Sequence, residues 1–413
     1  MNRRDAIRQG TTALAALLTA RTASAELLQQ AATHDWSTLA ADYRLGDSVN
    51  YLNHASIGTM PRQLAGLRDE LLRVCESNPW LYMWGGAWEE PREDARRAAA
   101  GLLGAKPDDV AITHNTTEGF NLLAQGLPLG AGDEVLFSSM NHAGASVCWE
   151  QQAPRRGFTV RRFEFPVLDA AKLTAADVAD IYLSQVRDAT RVLVCPHVDN
   201  IVGLRYPLRE IAERAHASGV EFVAVDGAQT AGMIPIDIEA SGVDFYSTSG
   251  HKWIQAPKGT GLMYLRATSR EDLEPMWTTW GQGRWADLAR RYEDYGTRNL
   301  AEAVVLGAAV DFQVALTSRA ERRLRLLREY TQAAVGASAS LEWCSPQSWA
   351  DGASLYAIRA PRLVAGDASR SLYEDHGVVL RPFGGDLNTL RLSPNVITST
   401  DQIDTFIRQV EAL

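Results

Sequence analysis

The chain has 413 residues, 46% of them apolar, enough to bury one large core and a smaller second one. Its 50 acidic side chains outnumber 41 basic ones for a net charge of −9, which argues against a polyanion such as nucleic acid as partner. Four cysteines without a CxxC or a His/Cys cluster exclude a dense disulfide framework and leave no metal site to assign.

Residues 1–25, MNRRDAIRQGTTALAALLTARTASA, carry a twin arginine (Arg3, Arg4), a short apolar run and a small-x-small ending at Ala25. This resembles a Tat export signal, which implies the Tat machinery as a partner and a periplasmic destination for the folded protein, with a cytoplasmic one as the alternative. The apolar run is too short for a stable membrane span. Four arginines and one aspartate give the segment +3 and leave −12 for the rest.

A segment at 26–60 follows, then alternating strand and helix patterns over 61–298, then helices and a small α+β domain over 299–413. Alternation of that kind predicts an α/β protein with a mostly parallel sheet covered on both faces. Tryptophans crowd PWLYMWGGAW (79–88) and recur at Trp277, Trp280 and Trp285, which reads as packing at a dimer interface or as an aromatic wall at a site mouth. Arg322, Arg323, Arg325 and Arg328 fall on a helical pattern and read as a solvated face.

The run from Val225 to Gly261, VDGAQTAGMIPIDIEASGVDFYSTSGHKWIQAPKGTG, concentrates the chemistry. An apolar strand over 221–225 delivers Asp226 to a strand end, where ligands of open α/β sheets sit, and a second strand over 244–248 delivers Ser249, His251 and Lys252. An aldehyde cofactor needs a lysine whose pKa falls in a dry or cationic site, the role of Lys252. Pyridoxal 5′-phosphate (PLP) also needs a carboxylate facing its pyridine nitrogen, which Asp226 supplies. Gln229 can bond the phenolic oxygen, and Ser249 and His251 can reach the phosphate.

In order and spacing these residues resemble the class V aminotransferase family of fold-type I PLP-dependent enzymes, and GHKW…APKGTG at 250–261 resembles its isopenicillin N epimerase-like branch. The resemblance implies a large PLP-binding domain with a smaller C-terminal α+β domain, and it assigns further residues. Asn115, Thr116 and Thr117 in HNTTEGFNLL look like the phosphate-binding turn that opens a helix, where free N–H groups suit a dianion, and Asn115 with Glu118 forms a capping-box-like pair. His142 matches the ring-stacking histidine. Asn200 matches the asparagine near the phenolic oxygen. Thr297 in YGTRN matches a threonine that reaches the partner subunit's cofactor, which implies a homodimer. Arg391 in LRLSPN resembles the arginine that grips a substrate α-carboxylate, and Asn53 and His54 in YLNHASIGTMP resemble a pocket-lining loop.

The expected function is therefore catalysis at Cα of an amino acid, or of an amino-acid moiety of a secondary metabolite, in the transamination or deamination class, with Lys252, His142 and Asp226 as catalytic residues. Epimerisation, C–S or β-lyase chemistry and a silent PLP-fold binding protein are the alternatives. Residues 383–388, FGGDLN, hold no cysteine before Arg391, which leads the sequence reading to exclude a cysteine desulfurase. SPNVIT at 393–398 departs from the Ser-Pro-His-x-Tyr-Asn pattern of the family.

Overall fold

A computed structural model describes Thr22 and residues 25–83 and 86–413. The export signal read in residues 1–25 lies almost entirely outside these residues.

Seven strands form the central sheet: β1 (Val110–Thr113), β2 (Glu134–Ser138), β3 (Thr159–Phe163), β4 (Thr190–Pro196), β5 (Phe222–Asp226), β6 (Phe245–Ser249) and β7 (Gly261–Leu265), in spatial order β1-β7-β6-β5-β4-β2-β3. All neighbours from β3 to β6 pair in parallel, and β7 runs antiparallel to both β6 and β1. Successive side chains of a strand point to opposite faces. Leu193, Cys195, Val223 and Val225 accordingly feed one core, while Val192, Val194, Phe222 and Ala224 feed the other. Burial on both faces explains why these strands read as continuous apolar runs.

The first core packs under α1 (Glu89–Leu103) and α4 (Leu300–Ala337); the second packs under α2 (Thr116–Gly126) and α3 (Ala143–Arg156). Helix α4 is 38 residues long, and an 18-residue window with mean hydropathy 1.6 makes it apolar enough to cross a membrane, yet 67% of that window is buried inside the protein. It crosses α1 closely at Gly307, where a Cβ would lie 2.7 Å from Ala95. Helix α4 continues into the C-terminal domain, and this changes the reading of two of its arginines, while Arg322 and Arg325 are exposed as expected. Arg328 is buried and donates to the carbonyls of Ala353 and Pro346, and Arg323 donates to those of Val396 and Thr398. They tie the long helix to loops that a solvated face would not meet.

The C-terminal domain is a four-stranded antiparallel sheet of β8 (Glu342–Trp343), β9 (Tyr356–Arg359), β10 (Arg381–Phe383) and β11 (Thr389–Leu392). It has its own core with Leu372, Phe406 and Ile407 from two covering helices. The N-terminal segment is stitched to this domain: Asn50–Tyr51 pairs in parallel with Val378–Val379, and Asn53 bridges Ser393. That stitch carries residues 53–58 into the cleft between the C-terminal domain and the carboxyl ends of β5 and β6.

Candidate active site

The carboxyl ends of β1, β2, β5 and β6 deliver Asn115, His142, Asp226 and Ser249 to one edge of the sheet, the edge where parallel α/β sheets hold ligands. Asp226 ends β5, and its Oδ1 accepts the Ala228 N–H at 2.9 Å, which leaves the rest of the carboxylate to face the cleft. Gly227 follows because the turn runs against the Tyr246 ring, into which any Cβ would collide.

Lys252 lies two residues beyond the Gly250 turn after β6. Among the described residues its Nζ has no hydrogen-bond or ion-pair partner. Burial pulls its pKa down to about 8, Arg391 pulls the same way, and Asp226 opposes both. His251 is lowered to about 4 by burial and by the charges of Lys252 and Lys258, so its imidazole is neutral here. His142 caps α3, its Nδ1 accepting the Gly144 N–H at 3.0 Å, and withdrawal from water lowers its pKa, against Asp226 and with Lys252 and Arg391. An accepting Nδ1 leaves the Nε2–H tautomer.

On the opposite side of the cleft α2 begins. Asn115 spends its side chain as the cap, Oδ1 accepting the Glu118 N–H at 2.9 Å. Glu118 bonds the N–H and Nδ1 of His114 and the hydroxyl of Tyr295, so the return arm of the capping box falls one residue earlier than the sequence suggested. The Ser249 hydroxyl takes the Thr116 N–H at 3.0 Å and bonds Thr116 Oγ1 at 2.8 Å, fastening β6 to the start of α2. A Cβ at Gly144 would sit 2.6 Å from Thr117 Oγ1 and 3.2 Å from His142 Nδ1, so the starts of α2 and α3 meet here. Two helix starts with hydroxyls and a neutral histidine form a donor set for a phosphate dianion.

Arg391, 3% exposed, lies on β11. Nη1 donates to the Asn200 carbonyl at 2.7 Å, and Nη2 donates to Asn53 Oδ1 and Ser56 Oγ, both at 2.8 Å. Asn200 thus serves Arg391 through its backbone. His54 does not line the cleft as the sequence reading placed it: it is fully buried, meets Tyr51 edge-on at 5.0 Å, and burial lowers its pKa to about 3. Gln229 carries contacts that the sequence did not announce, with one Nε2 hydrogen left for the phenolic oxygen. Its Nε2 donates to the Ala55 carbonyl at 2.9 Å and its Oε1 accepts from Trp253 Nε1 at 2.8 Å, which makes it a brace between the Asp226 turn and the N-terminal loop.

The sequence reading missed how much that loop holds. The Gly58 N–H donates to the His251 carbonyl at 2.7 Å, and Gly58 lies so close to the Lys252 carbonyl that a Cβ would overlap it. The glycine in ASIGTMP was the available signal. Thr297 stands apart: it is exposed and lines a cavity of about 170 Å³ with Trp88, Trp280, Arg92 and His114. Nearby Trp277 stacks on Tyr295 at 4.0 Å and Arg290 lies 3.7 Å over Trp285, so these aromatics cluster around Thr297 and not around Lys252 of the same chain.

The donor set fits PLP: a lysine with a lowered pKa, a carboxylate and a histidine within electrostatic reach of it and of each other, and a helix-start cradle with hydroxyls. The model for the family described as Aminotransferase class-V matches residues 81–394. Isopenicillin N epimerase of Streptomyces clavuligerus is 31% identical over 92% of this chain and 99% of its own length. A probable cysteine desulfurase of Halobacterium salinarum is 27% identical over 92% of this chain and 95% of its own. Among solved structures, the cystine C–S lyase C-DES, in complex with its product cysteine persulfide, superposes with a TM-score of 0.80 at 23% identity over 88% of this chain and 97% of that one. The likeness shows the fold, that of fold-type I PLP enzymes. The desulfurase relatives overturn the exclusion drawn from residues 383–388. Its basis was too narrow: one loop without a cysteine does not outweigh a likeness that runs along nearly the whole chain.

Proposed function

The chain belongs to the aminotransferase class V family of PLP-dependent enzymes, and from that premise we propose that it acts at Cα of an amino acid or of an amino-acid moiety of a secondary metabolite, in the transamination or deamination class. The observation that carries this reading is Lys252, a lysine without a partner whose pKa is lowered to about 8 beside Asp226. Bound PLP supplies an electron sink that acidifies the Cα–H bond. Arg391 holds the substrate carboxylate, exchanging an Nη2 bond to Asn53 or Ser56 for it while Asn200 keeps Nη1 in place. Lys252 Nζ, neutral in a useful fraction near pH 8, takes the Cα proton. Asp226 would keep a proton on the pyridine nitrogen, Asn115 to Thr117, Ser249 and His251 would hold the phosphate, and His142 would pack on the ring.

Two related readings have their own support. Epimerisation is favoured by the relative that matches along 99% of its length, and C–S or β-cleavage by the desulfurase relatives. The assembly is a homodimer in which Thr297 serves the partner's site, a reading supported by the exposure of Thr297 among tryptophans away from Lys252. Residues 1–25 support Tat export to the periplasm.

The test is borohydride reduction of PLP-supplemented protein followed by peptide mass spectrometry. A phosphopyridoxyl adduct on Lys252, absent in Lys252→Ala, is expected; an unmodified Lys252 in folded protein refutes the reading. In deuterated water, loss of the amine, loss of a β-group, and uptake of one deuterium at unchanged constitution separate the three outcomes.

A further inference from the structure

Arg381 is a cation without an anion. In antiparallel register it sits directly opposite Arg391, so the two side chains leave the same face of the sheet. Each guanidinium lies against the Phe383 ring, at 6.0 Å for Arg381 and 5.8 Å for Arg391. Like charges directly opposite on a sheet are destabilising; Asp199 offsets the charge of Arg391, and only solvent offsets that of Arg381. Among the described residues Arg381 makes no ion pair and no hydrogen bond, although Glu374, Asp375 and Asp386 are close in sequence. Its side chain is exposed and leaves the sheet beside that of Arg391, against the same Phe383 ring, so it stands at the rim of the Arg391 pocket.

The two arginines differ in what they have left to give. Both Nη2 hydrogens of Arg391 and one on Nη1 are committed to Asn53, Ser56 and Asn200. All five N–H groups of Arg381 are open to a ligand. Both guanidiniums lie against the one Phe383 ring, close enough for the two ends of a short dicarboxylate to reach both.

We propose that Arg381 receives a second carboxylate, so that the substrate of the Lys252 site is an amino acid, or an amino-acid moiety, with an acidic side chain. The inference rests on Arg391 as the receptor of the α-carboxylate. It adds a specificity-determining residue that a neutral or basic amino acid would leave unpaired in the cleft.

The test avoids turnover by using ligands without an amine. Calorimetric titration of the purified holoenzyme compares glutarate with glutaramate, its monoamide of equal length. A charged pair of this kind makes glutarate bind about tenfold tighter or more in the wild type. Arg381→Gln brings the ratio close to one while glutaramate affinity holds, and Arg381→Lys keeps part of it. Equal affinities in the wild type, a ratio that survives in Arg381→Gln, or no binding of either ligand overturns the proposal. Failure of the underlying reading has a separate signature: glutaramate affinity insensitive to Arg391→Gln, or no reduced adduct on Lys252, with the glutarate ratio still set by Arg381.

Discussion

The ionisation of Lys252 is the sharpest quantity the site offers. An ordinary lysine near 10.5 is neutral in about one molecule in a thousand at pH 7.5, whereas at about 8 the fraction is about one in four, a gain of roughly two-hundredfold in nucleophilic amine. Burial is the largest cause, Arg391 adds to it, and Asp226 works against both. The causes predict opposite responses: Asp226→Asn removes the opposing charge and lowers the midpoint further, while Arg391→Gln raises it. Competitive acetylation of cofactor-stripped protein across pH, read by peptide mass spectrometry, measures that midpoint without turnover. The linkage has a defined sign as well. Between pH 8 and 10.5 the unfolded chain binds a proton at this lysine that the folded chain does not, so the lysine's contribution makes stability rise with pH across that window. A labelling midpoint near 10.5, or a shift in the same direction for both variants, refutes the reasoning.

Three further outcomes follow from named contacts. Glu293 and Arg96, both buried and joined by two 2.7 Å bonds, clamp β1 through Ile112 N–H and the Val110 carbonyl, so Glu293→Gln costs about 3–5 kcal/mol in urea unfolding, and Arg96→Met with Glu293→Leu recovers part of it. Gly58→Ala forces a methyl onto the Lys252 carbonyl, with an expected loss of about 1–3 kcal/mol and a fall in borohydride-fixed cofactor on Lys252. His54 is neutral and buried with a pKa near 3, and the unfolded chain gains the proton below about 6.5, so stability falls as pH drops through that window. His54→Leu flattens the acid limb, by about 2 kcal/mol at pH 5, and leaves substrate affinity unchanged; a loss of affinity would restore His54 to the cleft.

Much of this was legible because strand ends convert sequence order into spatial convergence. Phe222–Asp226 and Phe245–Ser249 are buried on both faces, so their apolar runs announce both their length and the residue each delivers. Asp226, Ser249 and Lys252 needed no tertiary information beyond that. The long helix was legible as helix, but its face was not, because Arg328 finds carbonyls from loops at 346 and 353 that no periodicity anticipates. Gln229 shows the same limit: one of its amide hydrogens goes to Ala55, 174 residues away.

The N-terminal loop is where local reading is weakest and the site depends most on assembly. Residues 53–58 have no periodic pattern, yet they touch Arg391 through Asn53 and Ser56, Gln229 through Ala55, and the His251 carbonyl through Gly58. Each contact links the loop to an element about 170 to 340 residues distant in sequence. Arg391 cannot present a free Nη2 edge to a carboxylate while Asn53 and Ser56 both hold it, since a bidentate contact uses an Nη2 hydrogen with either Nε or Nη1. A carboxylate that binds there must displace Asn53 or Ser56, and the same loop abuts the backbone of Lys252 at Gly58. Occupancy of the carboxylate receptor and the setting of the lysine therefore pass through six residues of one loop, and that makes the small Gly58 contact as consequential as the charged residues around it.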